Sequence, residues 1–354
     1  MTMLAETVDA IIGIDTHRDS HEVEIADVTG KPIALMRIGN DSGGFAQLLA
    51  AIAELAPGPR VAVLVEGSRS YGIGLARTLT AAGLLVIECG QPARRQRRGK
   101  GKSDPIDAHL AVLAGLRMDT CQVPELRADG DREALRILLG ARQEITVAST
   151  AQASRLRALL LAGDDADRQA ARTALTTTVL QVLAQRAVPA AGRDHAVRQA
   201  EIRRLALALG QARRELKENL AQLAAIAEDI APGSTKGYGI GPVSAAQAIV
   251  SFSHPGRCRS EAAFAALGGT CPIPASSGRT IRHRLNRGGD RALNRAIHMI
   301  AVTRIRGCPR TRAYVARRTA EGKTGPEIRR CIKRYIAREL YRHLTRSMTP
   351  PAAP

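Results

Sequence analysis

The sequence has no tryptophan and only five Tyr and three Phe in 354 residues. So few rings argue against a platform that reads single strands by stacking bases on aromatic side chains. Phosphate contact and shape readout of duplex or folded nucleic acid fit better. The six cysteines (Cys89, Cys121, Cys258, Cys271, Cys308, Cys331) include no C-x-x-C pair. That argues against a zinc site and for reduced thiols in the cytoplasm. No apolar run reaches membrane-spanning length, and the start lacks the basic-then-apolar pattern of a secretory signal. Acidic residues are scarce in one place only. From Thr235 onward 23 Lys or Arg face 5 Asp or Glu, a net of +18 out of +19 for the whole chain. A biased composition would spread that charge evenly, so the main polyanion-binding surface is expected in the last third.

What is present begins with strands. Residues 8–15 (VDAIIGID) are apolar, β-branched and end on Asp15, as a buried strand with a carboxylate at its tip would. Residues 21–27 (HEVEIAD) alternate like a half-exposed strand, and 31–38 form a third after a turn at Thr29-Gly30. Helical periodicity over 42–55 precedes a short buried strand, 61–65, that ends at Glu66. A helix over 71–82, a strand over 84–88 and a helix opening at Asp104 follow. Three antiparallel strands and then parallel ones alternating with helices is the order of the RNase H-like fold. In that fold the first and fourth strands are neighbours and the last helix crosses them. Asp15, Glu66, Asp104 and Asp107 could then converge on one or two Mg²⁺ ions suited to phosphoryl transfer.

Directly before Asp104 runs a basic segment, Arg94, Arg95, Arg97, Arg98 and Lys100, placed to hold a polyanion. The blander reading of Asp-Pro-Ile-Asp is a helix start, with Asp104 as N-cap, Pro105 first and Asp107 near the positive end of the dipole. Asp15 could likewise be a loop-facing acid and Glu66 a cap before Gly67-Ser68.

Residues 125–230 change character. Apolar residues at helical spacing over 135–161 and 196–230 predict long helices, an antiparallel coiled-coil pair broken near 163–165 and 189–192. A spacer or assembly arm is the preferred reading there. The sequence then reaches KGYGIGPVSA (236–245), where Gly239 and Gly241 before a small-residue helix are spaced as in a helix-hairpin-helix phosphate turn; a plain glycine turn fits as well. A Pro-rich loop with Ser276-Ser277-Gly278 precedes Arg279, Arg282, Arg284 and Arg287. A serine before glycine on a loop could attack phosphorus, or could be turn chemistry alone. His283 is a candidate base or phosphate contact. Residues 304–346 read as basic helices, with Arg329, Arg330, Lys333, Arg334 and Arg338 close to one face.

Taken together, Ile14-Asp15, Val65-Glu66-Gly67 and KSDPIDA (102–108) resemble the RuvC-like part of the insertion-sequence one-ten transposases, relatives of the Piv-type DNA invertases. Gly239 to Pro242, the Ser277-Gly278 loop and NRGGD (286–290) resemble their C-terminal transposase part. The resemblance implies an α/β plus α protein: a RuvC-like catalytic domain (1–124), a helical coiled-coil linker (125–230), a transposase domain with the serine loop (231–348) and a tail (349–354). It further implies a DNA recombinase guided by a structured bridge RNA. Asp15, Glu66, Asp104 and Asp107 would bind Mg²⁺, and Ser277, which directly precedes the glycine, would attack donor and target DNA in a dimer or tetramer. Competing readings are a Piv-like invertase, a RuvC-like junction nuclease in which water attacks, and a non-catalytic nucleic-acid binder whose acids are caps.

Overall fold

The computed structural model describes residues 2–90, 104–120, 123–124, 126–127, 129–187, 192–274, 283–284, 286 and 288–349, with Asp104, Pro105 and His283 described by backbone alone. The chain falls into two compact units, residues 1–133 with 252–260, and residues 134–251 with 261–354.

The first unit is built on β1 (Ala10–Thr16), β2 (Ser20–Asp27), β3 (Pro32–Gly39), β4 (Val61–Glu66) and β5 (Leu85–Cys89). The sheet order is β3-β2-β1-β4-β5. β1 to β3 are antiparallel, and β4 and β5 run parallel to β1. Antiparallel neighbours need only a tight turn, whereas a parallel neighbour needs a crossover. Helices α1 (Ser42–Leu55) and α2 (Ile73–Ala81) supply the crossovers, and α3 (Asp104–Leu116) follows β5.

Alternation along β1 and β4 sends Ile12, Ile14, Val61, Val63 and Val65 to one face, packed with Phe45, Leu48 and Ile52 of α1 and Leu75 and Leu79 of α2. Ile11, Ala62, Leu64 and Ile87 point to the other, against Ala111 and Val112 of α3. Both faces are covered, which is why β1 and β4 read as unbroken apolar runs. β2 departs from its half-exposed pattern. Val23 and Ile25 join the first core while α3 covers the opposite face, leaving Glu24 only 2% exposed.

The second unit carries the long helices α4 (Gly130–Leu161) and α7 (Arg193–Ile230). They run antiparallel: Asn219 donates to the Leu138 carbonyl (2.9 Å), Arg142 to Leu216 (3.0 Å) and Arg198 to Ala162 (2.6 Å). The break between them holds two short helices, α5 (Asp165–Arg172) and α6 (Thr177–Gln185), capped by Asp164 and Thr176. Leu175, Leu180 and Leu183 pack on Leu156, Leu160, Ile202 and Leu205, closing that end of the pair.

The rest of the unit comprises α8 (Pro242–Phe252), α9 (Glu261–Leu267), the hairpin β6 (Ile273–Pro274) and β7 (His283–Arg284), α10 (Arg291–Gly307), α11 (Pro309–Ala320) and α12 (Gly325–Met348). The basic face expected on α12 is partly spent inside the unit. Arg338 (2.8 Å) and Arg342 (3.4 Å) pair with Glu261, Arg334 donates to the Glu261 carbonyl, and Lys333 donates to Asn294 (2.7 Å). Among the described residues no helix is long and apolar enough to cross a membrane, and the five described cysteines are free thiols.

Candidate active site

The carboxyl ends of β1 and β4 lie side by side, because the parallel register pairs Ile14 with Val65. Asp15 and Glu66 follow those residues, and both point to the face that α3 covers. The two ends are tied by the Thr16 hydroxyl, which donates to the Glu66 carbonyl at 2.7 Å. Gly67 turns away at φ +73, and a Cβ there would stand 2.5 Å from the Thr16 hydroxyl, so only glycine permits this crossing. Gly13 does the same for the helix. A Cβ on it would collide with the Ala108 carbonyl oxygen, so α3 rests directly on the β1 backbone. That contact sets Asp107 over the acid-bearing end.

Asp15, Glu66 and Asp107 are 8%, 9% and 6% exposed. Three of the four carboxylates read from the sequence therefore come from three elements to one face of one sheet end. Asp104 opens α3 as expected, and its side chain lies outside the described residues. His17 Nε2 stands 3.4 Å from Asp15. Glu66 is felt by its neighbour on β5: burial, and then the Glu66 charge, push the Cys89 thiol up to about 11. The donor set is all oxygen, which suits a hard divalent cation. Among the described residues no three His, Cys, Asp or Glu side chains are grouped closely enough to hold a metal ion.

Two acids escaped the sequence reading. Glu24 faces Gly13 across the β1–β2 ladder and meets His109 Nδ1 at 2.7 Å. Glu22 faces Asp15 in the same ladder and pairs with Arg37 at 3.2 Å. The signal was the second set of the HEVEIAD alternation, acids on a strand whose two faces are both covered.

The basic run Arg94, Arg95, Arg97, Arg98 and Lys100 lies outside the described residues, as do Ser276, Ser277, Arg279, Arg282 and Arg287. Arg284 is exposed on β7, which pairs antiparallel with β6. A small pocket at the base of that hairpin is lined by Thr270, Cys271, Asn286, Arg330 and Lys333. Burial pulls the Lys333 ammonium below its ordinary value. The glycine turn before α8 is packed rather than open at its first glycine. Gly239 has φ +78, and a Cβ there would sit 3.2 Å from Thr303 of α10; Gly241 faces open space. Asp290 of the NRGGD stretch caps α10, accepting from the Ala292 and Leu293 N–H groups and from the Ser251 hydroxyl (2.6 Å).

Comparison with known proteins gives three matches. Residues 12–163 match a DEDD-type IS110 model described as a transposase. Residues 236–316 match the model of the transposase IS116/IS110/IS902 family. The chain is also 30% identical over 163 residues to the "Mini-circle putative transposase for IS117" of Streptomyces coelicolor. That alignment takes in 45% of this chain and spans 39% of the relative's length.

Proposed function

Because the chain belongs to the IS110 family of transposases, we propose that it is the recombinase of an insertion sequence, cutting and exchanging DNA strands with a serine nucleophile. The observation that carries this reading is that Asp15 and Glu66 end adjacent parallel strands on the face covered by α3, the helix that bears Asp107, inside the segment that matches the DEDD-type model. The strand order β3-β2-β1-β4-β5, with α3 across β1, supports an RNase H-like, RuvC-type catalytic domain. On this reading the chain divides as its sequence suggests, into a catalytic domain 1–124, a helical coiled-coil linker 125–230, a transposase domain 231–348 and a tail 349–354.

Asp15, Glu66, Asp104 and Asp107 would hold Mg²⁺, which supplies a Lewis acid at the phosphoryl oxygens when bound. The Ser277 hydroxyl attacks phosphorus: its O–P bond forms as the bond to the leaving deoxyribose oxygen breaks, and that oxygen departs as a hydroxyl. The phosphoserine keeps the bond energy for rejoining, so no external energy source is needed. Arg279, Arg282, Arg284 and Arg287 beside the serine, with Arg94, Arg95, Arg97, Arg98 and Lys100 before α3, hold donor and target duplexes. Gly239 and Gly241 would let backbone N–H groups approach a further phosphate. A structured bridge RNA selects the sites, and a dimer or tetramer brings serine and acid domains together.

The test is a covalent adduct. With Mg²⁺ and duplex carrying an element end, wild type should yield a protein–DNA species stable to denaturation, and Ser277→Ala should lose it while still binding DNA. An adduct that persists in Ser277→Ala removes that serine from the chemistry. Sequencing the RNA that copurifies should return one discrete structured species; a random mixture would point instead to an invertase or nuclease working unguided.

A further inference from the structure

Several cations of the second unit are answered by acids within it. Arg304 pairs with Glu339 at 2.7 Å, Arg318 with Glu321 at 2.5 Å and Arg338 with Glu261 at 2.8 Å. Arg330 and Lys333 of α12 are not. Among the described residues no carboxylate lies within ion-pair distance of either. Glu327, one turn before Arg330, is engaged as the capping box of α12, accepting from the Thr324 N–H at 2.9 Å and its hydroxyl at 2.7 Å. Lys333 donates to Asn294 Oδ1 at 2.7 Å, and burial alone pulls its ammonium below the ordinary value.

Both cations line the small pocket that Gly269, Thr270, Cys271 and Asn286 complete, and the fold fixes its polar groups. Asn294 Nδ2 donates to the Gly268 carbonyl at 2.6 Å, which leaves Oδ1 for Lys333 and settles which way the amide points. Gly269 sits at φ +61, and a Cβ there would stand 3.1 Å from that amide nitrogen, so the turn closes against Asn294 only as glycine. Asn286 Oδ1 accepts the Gly288 N–H at 2.9 Å, so its NH2 group is the part left over. With both amide oxygens engaged, the pocket offers donors: the Asn286 NH2, the Arg330 guanidinium, and the ammonium hydrogens of Lys333 that Asn294 does not take. Donors on two cations without counter-charge suit an anion and repel a metal ion.

We propose that Asn286, Arg330 and Lys333 form a phosphodiester site in the helical unit, gripping one backbone phosphate of a bound nucleic-acid strand. The site rests on the reading above that this chain works on nucleic acid, and it employs residues to which that reading gives no role. A guanidinium fork and an ammonium point charge both bind phosphate oxygens, and a neutral amide donor fixes the register of the strand. The pocket is small, so it takes the non-bridging oxygens of one phosphate rather than a whole nucleotide. Asn286 opens the NRGGD stretch whose Asp290 caps α10, so one short stretch both starts that helix and edges the pocket. DNA and RNA both present this chemistry.

The experiment uses the full chain with a fluorescein-labelled DNA duplex and, separately, an RNA hairpin of equal stem length, over a salt series. Lys333→Gln, which can still donate to Asn294, and Arg330→Gln should each weaken binding by about three- to tenfold and lower the slope of log affinity against log salt by about one. Asn286→Asp keeps the oxygen that Gly288 needs and puts charge where the NH2 was, so it should weaken binding at least as much with an unchanged melting temperature. Arg312→Gln removes an exposed charge of α11 that does not line the pocket, and should cost less than about twofold. Should Lys333→Gln melt early, Arg330→Gln and Asn286→Asp decide. A loss with the duplex alone assigns the strand to DNA, and with the hairpin alone to RNA. Wild-type affinity and slope in the pocket variants, or an equal loss in Arg312→Gln, would overturn the proposal and leave the recombinase reading intact. A wild-type chain that binds neither probe would overturn both.

Discussion

Asp107 in the sheet unit and Asp167 in the helical unit are both buried, 6% and 0% exposed. Asp167 sits in the first turn of α5, paired with Arg186 and receiving the Gln199 amide at 3.1 Å. Gly163 leaves room for its side chain, since a Cβ there would collide with it. Cation, amide and helix start answer one carboxylate, and the outcome is a closed break between α4 and α7. Asp107 stands instead on the face that carries Asp15 and Glu66, acids added to acids. On the proposed reading these acids serve a divalent cation rather than the fold. The company a buried acid keeps, rather than its burial, separates a fastener from a candidate catalyst.

The widest gap should open on neutralising one acid of each kind. On the proposed reading, Asp107→Asn costs about 10³-fold in strand cleavage, several kcal/mol of transition-state stabilisation. The near-isosteric change should leave the fold in place, so the loss is one of chemistry per folded molecule. Full activity in Asp107→Asn would dissolve the comparison from the catalytic side. Asp167→Ala should do the reverse. It strands Arg186 and Gln199 and costs about 3 kcal/mol of stability, a factor of about 150 in the folding constant. The strand chemistry per folded molecule should be unchanged. Denaturant midpoints alongside cleavage rates check both.

The thiols give a smaller, independent reading of the two environments. Cys89 is raised to about 11 by burial and then by Glu66. Cys308, at the start of α11, is lowered by the Thr311 hydroxyl and neighbouring N–H groups. Thiolate is the reactive form, so at pH 8 iodoacetamide should modify Cys308 at least about tenfold faster than Cys89, even after discounting the weaker nucleophilicity of a more acidic thiol. Peptide mapping after brief alkylation reads the ratio. Equal rates would mean that the acid end carries no such field.

How much of this was legible depends on the distance between the residues that cooperate. β1 and β4 were visible as apolar runs, and Asp15 and Glu66 as the acids that stop them, because each signal lies within eight residues of chain. Helices α5 and α6 were not, being short pieces between two long periodic stretches, though Asp164 and Thr176 marked their starts. The Glu24–His109 contact joins positions 85 apart and exists only because α3 lies on β2. On α12, periodicity placed Arg329, Arg330, Lys333, Arg334 and Arg338 close to one face, but only packing reveals that Glu261 of α9 engages two of them, Arg334 and Arg338, together with Arg342.

Asp290 tests the comparison where it is finest. It lies in the NRGGD stretch that resembles the transposase part, so the sequence alone would let it join the catalytic acids. Its contacts put it with Asp167: two helix N–H groups and the Ser251 hydroxyl converge on its carboxylate. A capping acid can be exchanged for asparagine, which accepts the same N–H bonds, whereas alanine loses them. Asp290→Asn should therefore stay close to wild type in stability and cleavage. Asp290→Ala should lose about 1 kcal/mol, a small drop in melting temperature, with cleavage per folded molecule retained. Should Asp290→Asn fold normally yet fail to cleave DNA, its charge would be doing chemistry, and a well-partnered acid could no longer be taken for a fastener.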